Sequence, residues 1–251
     1  MSSEVVVKVS WGPRPETSGE LAVRWLEALG RLTELSGSAP VEWRWDVDGG
    51  AGAPVPAAAE DVAKVIEAGG PEEDADIVGR QAAVVGTWPD GGYAYLRAKG
   101  GGSDAYTPFT ATLQLFVPAE AQTGAATGAG AGAEAGSRPP LTDRLPEVLA
   151  ALAEAWEADT GLAYDRELFN AVKSAFALRN SRPRCGWVTY LSANRAALVP
   201  GDLPGQRRDT AGGGVVLDSG RDTDAVMAAQ RALAGAGALE PLPVSEPRPL
   251  W

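Results

Sequence analysis

The first thirty-six residues constrain the fold more than any other stretch. Val5, Val6, Val7 and Val9 form a β-branched run with the character of a buried strand. The run stops at Trp11-Gly12-Pro13-Arg14, because Pro13 fixes φ, lacks an N–H and biases Gly12 away from helical geometry. Thr17 precedes Glu20 by three residues, the spacing at which each side chain caps the other's backbone N–H. Leu21, Trp25, Leu26, Leu29, Leu32 and Leu35 then recur at helical period and make one broad apolar stripe. Strand, rigid corner and long amphipathic helix follow one another directly. A stripe of that width is buried by lying on a sheet, so the rest of the chain must supply one.

It does so in two instalments. Val41 to Asp48 alternates apolar and polar residues, which predicts a half-buried strand with Val41, Trp43, Trp45 and Val47 inward and Glu42, Arg44, Asp46 and Asp48 outward. A Gly/Ala/Pro loop follows, then a helix over 57–67 with Val62, Val65 and Ile66 inward. Residues 80–117 read as an antiparallel meander. Its strands are 81–88, 93–97 and 110–117, with a turn at Pro89-Asp90-Gly91-Gly92 and a flexible connection at Gly100-Gly101-Gly102-Ser103. No Lys-Ser/Thr pair or helix start follows those glycines, so they are not a nucleotide loop. The second instalment opens with a helix carrying Leu145, Val148, Leu149, Leu152 and Trp156. A short strand at 162–164 and a helix from Asp165 come next. Strands at 186–191 and 213–218 follow, the latter after a loop carrying Arg207 and Arg208, and a last helix is capped by Asp222 or Thr223. Runs of consecutive strands predict an α+β fold with a largely antiparallel sheet and several packed helices. That fold forms a single globular domain interrupted by a Gly/Ala-rich linker. The expected organisation is 1–118 and 141–240 as two halves of one domain, 119–140 as a flexible insertion and 241–251 as a Pro-rich tail.

Composition then narrows the function. A formal charge of −11 argues against a nucleic-acid ligand, whose phosphates need clustered Lys and Arg, and favours a basic partner. Histidine is absent, which removes the commonest general base and metal ligand and every Ser-His or Cys-His arrangement. One cysteine, Cys185, permits no intrachain disulfide and suits a reducing compartment. The N-terminus carries no basic region or long apolar run, and no segment has the length of a membrane helix, so a soluble cytoplasmic protein is expected.

No catalytic set stands out. Asp46 and Asp48 could form an acid/base pair, although carboxylates so placed are ordinary polar-face residues far more often. Arg184 beside Cys185 would favour the thiolate, but no partner residue completes a nucleophilic site. Arg179, Arg182 and Arg184 could hold an anion, or form a solvated loop or intrachain ion pairs. Glu72, Glu73, Asp74 and Asp76 crowd one short stretch and read as a solvated loop or a contact for a basic partner. Of eight tryptophans, five fall on apolar faces, whereas Trp11 and Trp88 lie at corners where a large ring stays partly exposed. Exposed aromatics framed by carboxylates suit a protein-binding surface; covering a sheet edge would explain the same two rings.

Three stretches together resemble a known family. They are Val7-Lys8-Val9-Ser10-Trp11-Gly12-Pro13-Arg14-Pro15-Glu16 with its Leu/Trp-rich helix, Ala153-Glu154-Ala155-Trp156, and Gly186-Trp187-Val188-Thr189-Tyr190-Leu191-Ser192. With a last strand running into an Asp-capped helix, their order is similar to immunity protein family 52 of bacterial polymorphic toxin systems. The Gly/Ala linker and proline tail are particular to this chain. The resemblance implies a non-enzymatic inhibitor with no cofactor, encoded beside a toxin whose toxic domain it binds. The toxins of such neighbours are often similar to restriction-endonuclease-fold nucleases, so the implied partner is a basic nuclease domain. The contact candidates are Trp11, Asp46, Asp48, Glu72, Glu73, Asp74, Asp76 and Trp88. The alternatives are a small carboxylate-dependent hydrolase and an acidic scaffold with no toxin partner.

Overall fold

The computed structural model describes residues 3–70, 73–89, 91–105, 108–117, 140–179 and 182–241. In chain order the elements are β1 (Ser3–Trp11), α1 (Ser18–Leu35), β2 (Glu42–Val47), β3 (Gly50–Pro54), α2 (Ala59–Ala68), α3 (Ala75–Val78), β4 (Arg80–Thr87), β5 (Tyr93–Gly100) and β6 (Phe109–Val117). A 3-10 turn (Pro140–Asp143) leads into α4 (Leu145–Ala155), β7 (Thr160–Tyr164), α5 (Arg166–Ala175), β8 (Val188–Leu191), α6 (Ala193–Ala196), β9 (Gln206–Asp209), β10 (Val215–Asp218) and α7 (Thr223–Gly235).

The ten strands form one sheet in the order β3-β2-β4-β5-β6-β1-β7-β8-β10-β9, with every neighbouring pair antiparallel. The valine strand β1 is where the two instalments meet. Val7 stands opposite Leu113 of β6 on one side and Ala163 of β7 on the other. The fold is α+β on a single antiparallel sheet, as the runs of strands predict.

The first face of the sheet carries Val5, Val7, Val9 and Trp11 from β1, Leu113 and Leu115 from β6, Leu96 from β5 and Trp43 and Trp45 from β2, all buried. Helices α1, α2 and α4 cover it. Helix α1 begins where the sequence places it. Thr17 Oγ1 accepts from the Glu20 N–H at 3.2 Å, and Glu20 Oε2 accepts from the Thr17 N–H at 2.8 Å, a reciprocal cap. Its stripe of Leu21, Trp25, Leu29 and Leu32 is buried, each side chain contributing about 1.5–3 kcal/mol. On the second face α5 covers only the C-terminal strands, where Phe169 lies 5.0 Å from Tyr164 of β7, and α7 packs against α5. Over β5 and β6 the second face carries the half-buried or exposed Tyr93, Tyr95, Arg97, Lys99, Thr110, Thr112, Gln114 and Phe116.

Four tryptophans stitch the first face together. Trp11 stacks on Trp156 at 5.2 Å, Trp156 meets the edge of Trp25 at 5.7 Å, and Trp25 meets Trp45 at 6.1 Å. The indole N–H groups of Trp11, Trp45 and Trp156 are buried without an acceptor among the described residues. Ring packing, not hydrogen bonding, holds this chain of rings.

Several local expectations change. Residues 50–54, expected as loop, form edge strand β3, because Asp48 (φ 52°) and Gly49 (φ 82°) make a left-handed turn that folds the chain back on β2. Arg207 and Arg208, also expected in a loop, lie in the opposite edge strand β9. Gly100 to Gly102 are not a flexible connection but buried packing. Gly102 and Gly101 carbonyls accept from the Arg14 and Glu16 N–H groups at 3.0 and 3.3 Å, and a Cβ on Gly101 (φ 80°) would sit 2.8 Å from the Glu16 carbonyl oxygen. Val47 and Val65, expected inward, are 58% and 39% exposed, since the hairpin tip and the outer side of α2 lie beyond the helix layer. Residues 119–139 of the expected insertion and 242–251 of the expected tail lie outside the described residues, while Pro140 already belongs to the 3-10 turn.

Trp156→Ala removes the ring that both Trp11 and Trp25 pack on. It is expected to lower unfolding stability by about 3–5 kcal/mol in urea titration; a loss below about 1 kcal/mol would show that the ring chain does not carry the fold.

Candidate functional site

The Trp11-Gly12-Pro13-Arg14-Pro15-Glu16 corner is a junction. Helix α4 ends in a Schellman motif in which the Ala158 N–H reaches the Ala153 carbonyl at 2.8 Å and Glu157 takes a left-handed φ of 42°. A glycine usually fills that position. Here Glu157 is kept because its carboxylate meets Arg14 at 3.2 Å and Arg24 at 3.3 Å. Both arginines also flank the buried Glu16 carboxylate, at 2.8 and 2.5 Å, and donate to the Trp156 and Ala155 carbonyls that end α4. The Gly12 N–H donates to Asp159 at 3.2 Å. The corner therefore ties β1 and α1 to the end of α4 and the start of β7. Trp11 is fully buried, and Trp88, 3% exposed, packs edge-on to Trp43 at 6.5 Å. The expectation of partly exposed corner rings is overturned for both. Covering the core wins over presenting an anchor, because the corner is capped by α4 and the β4–β5 turn folds Trp88 back onto β2.

The third family-like stretch, 186–192, is also internal. The Trp187 N–H pairs with the Ala163 carbonyl at 2.9 Å, and the Arg221 guanidinium lies 4.0 Å from the Trp187 ring centroid. Tyr190 is buried, and the Gly186 N–H donates to Thr189 Oγ1 at 3.2 Å. The Cys185 N–H donates to the buried Gln230 side chain at 2.7 Å. Burial pushes the Cys185 thiol up to about 12, opposed only weakly by its hydrogen bond with Thr189. Burial therefore works against the thiolate that the neighbouring Arg184 suggested.

The carboxylate candidates separate. Asp46 Oδ2 accepts from the Tyr95 hydroxyl at 3.0 Å on the second face, and burial and this carboxylate raise the Tyr95 pKa. Asp48 leaves β2 for the turn, so the two do not converge as an acid/base pair. Glu73 and Asp74 are exposed; Asp74 (φ 63°) accepts the Ile77 and Val78 N–H groups on its backbone carbonyl and starts the single turn of α3. Asp76 is exposed and reaches Arg80 at 4.0 Å. Glu72 lies outside the described residues. Arg80 also binds Glu67 at 3.0 Å, and its hydrogen bond holds the Glu67 carboxyl below its usual range. Glu16, Glu67, Asp76 and Arg80, with Pro15, Thr17, Ser18, Gly101 and Ser103, line an open cleft of about 550 Å³. Its carboxylates are spent on arginine. Among the described residues no group of three or more His, Cys, Asp or Glu is arranged to hold a metal ion, and no helix is long and apolar enough to cross a membrane.

The most exposed large apolar side chain among the described residues is one that the alternation pattern assigned to the core side. Val47, between Asp46 and Asp48, projects from the β2–β3 tip. From Glu42 to Lys64 the chain carries five carboxylates and two cations. Both cations are already paired, Arg44 with Glu42 at 2.8 Å and Lys64 with Asp61 at 2.7 Å. Asp46, Asp48 and Glu60 are left without a cationic partner among the described residues. The Asp48-Gly49 pair was the signal for this hairpin.

No family model and no curated protein sequence matches the chain. Among solved structures it is similar to Pseudomonas aeruginosa T6SS protein PA0821, at 16% identity and a TM-score of 0.48, over 95% of this chain and 73% of that one.

At pH 8, Cys185 in the folded protein is expected to react with an aromatic disulfide reagent at least about a hundredfold more slowly than in the urea-unfolded chain. Equal rates would show an accessible, ionised thiol.

Proposed function

We propose that the chain is an immunity protein that binds and neutralises a cognate polymorphic toxin, a nuclease with a basic cleft, and protects the producing cell without chemistry of its own. The observation that carries this reading is the β2–β3 tip: an exposed apolar side chain, Val47, framed by Asp46 and Asp48 at the edge of a rigid sheet. An apolar anchor ringed by uncompensated carboxylates is complementary to a cationic surface around a hydrophobic pocket. The ordered family-like residues support the same reading from the scaffold side, since they build internal junctions and leave the hairpin tip free for contact. Glu73 and Asp74, exposed on the loop before α3, are a second acidic contact.

The carboxylates of the cleft, Glu16, Glu67 and Asp76, each face an arginine, so nothing favours the hydrolase. Binding through surface charge predicts fast, salt-sensitive association.

In cells expressing the adjacent open reading frame, co-expression of this chain is expected to restore growth; killing that persists regardless would refute the proposal. With the purified toxin domain, Asp48→Asn, which tolerates the left-handed turn, combined with Glu60→Lys should cut the association rate about tenfold at low salt and flatten its salt dependence. Val47→Ser should act mainly on dissociation. Rates unchanged in all these variants would remove the hairpin from the interface.

A further inference from the structure

The acidic chain carries a cationic cluster on the opposite side of its sheet. Arg97 of β5, Thr112 of β6 and Lys8 of β1 stand in one register row on the second face, with Lys99 beside Thr110 in the next row. At the seam where α5 begins to cover this face, Arg184 is 4% exposed, lies 4.2 Å from the Phe169 ring centroid and donates through one Nη to the Arg179 carbonyl at 2.6 Å. Its other terminal nitrogen, Nη1, is buried with no acceptor among the described residues. Burial at this depth also excludes the solvated loop that its place between Arg182 and Cys185 suggested.

None of Lys8, Arg97, Lys99 and Arg184 forms an ion pair among the described residues, although the chain has eleven more acidic than basic side chains. The nearby carboxylates are engaged by neutral donors: Glu4 accepts from Gln114 at 2.6 Å and Asp46 from Tyr95 at 3.0 Å. Desolvation first, then the charges of Arg184 and Arg97, lower the Lys8 pKa. The cations feel one another, and no counter-charge relieves them. Leaving a buried guanidinium N–H unmet and crowding like charges both cost free energy, and both are remedied by one multidentate oxyanion.

We propose that the row Arg97–Thr112–Lys8, backed by Arg184, is a binding site for a phosphate-type oxyanion, as free phosphate or as a phosphate monoester. Three cations and a hydroxyl on one face suit a tetrahedral dianion better than a single carboxylate, whose two oxygens one arginine can satisfy. The site is on the face away from the helices that cover the tryptophan chain and stands independently of the toxin reading.

Calorimetric titration of the full-length protein with inorganic phosphate, with sodium acetate and sodium chloride at matched ionic strength as controls, tests it. Saturable binding of phosphate alone is expected, weakened about tenfold or more in Arg97→Gln and in Lys8→Met, each of which removes one charged donor. Arg97 is exposed, so that variant is expected to fold as the parent does, which circular dichroism checks. Glycerol 3-phosphate distinguishes the sources: tighter binding than inorganic phosphate assigns the site to an esterified group, equal or weaker binding to the free ion. Absence of saturable heat, equal binding of acetate, or phosphate affinity unchanged in both variants would overturn the site.

Discussion

The Trp11–Trp156 stack is the contact on which the rest of the structure depends. The two rings come from opposite instalments of the chain, one closing the central strand β1 and the other ending α4, and they stack at 5.2 Å. Around them the Arg14–Glu16–Arg24–Glu157 network satisfies the exposed carbonyls at the end of α4 and holds Glu157 in a conformation that glycine usually supplies. This network is only partly buried, Glu157 being 42% exposed, and its most buried member, Glu16, is the costliest to break, because removing either arginine strips it of a partner. The network ties α1 to the end of α4 where the two helices pack on each other over the sheet.

The same economy explains why the motif-like residues say little about a binding surface. Trp11, Gly12, Pro13, Arg14 and Glu16 close one junction, while Gly186, Trp187 and Tyr190 close another between β7 and β8. What remains for recognition is what the junctions leave outside: the hairpin tip with Val47, Asp46 and Asp48, the acidic loop before α3, and the cationic row of the second face. Charge is segregated between the hairpin and this row even though the chain as a whole is strongly acidic.

Much of this was legible in the residues. The Thr17–Glu20 cap, the stripe of α1, the meander of β4 to β6 and the Asp165 and Asp222 caps are local, and local propensity with period-2 or period-3.6 burial determines them. The misses have a common cause, which is tertiary packing. Corner position suggests exposure for Trp11 and Trp88, but only the crossing of α4 and the fold-back at the β4–β5 turn decide that both rings are covered. Alternation placed Val47 inward, yet the helix layer stops short of the hairpin tip. Lys8 hides within a valine run, and nothing local announces that Arg97 and Arg184 converge beside it from residues 89 and 176 positions away. The β3 strand was readable from Asp48-Gly49 and was obscured by the glycine- and alanine-rich composition around it.

Hydrogen exchange of the chain alone and in complex with the proposed toxin partner tests the division between scaffold and surface most directly. New protection is expected at residues 44–51 of the hairpin and along the outer side of α2, with exchange at the already buried 11–16 corner unchanged. Protection concentrated at the corner, with the hairpin exchanging as in the free protein, would contradict it.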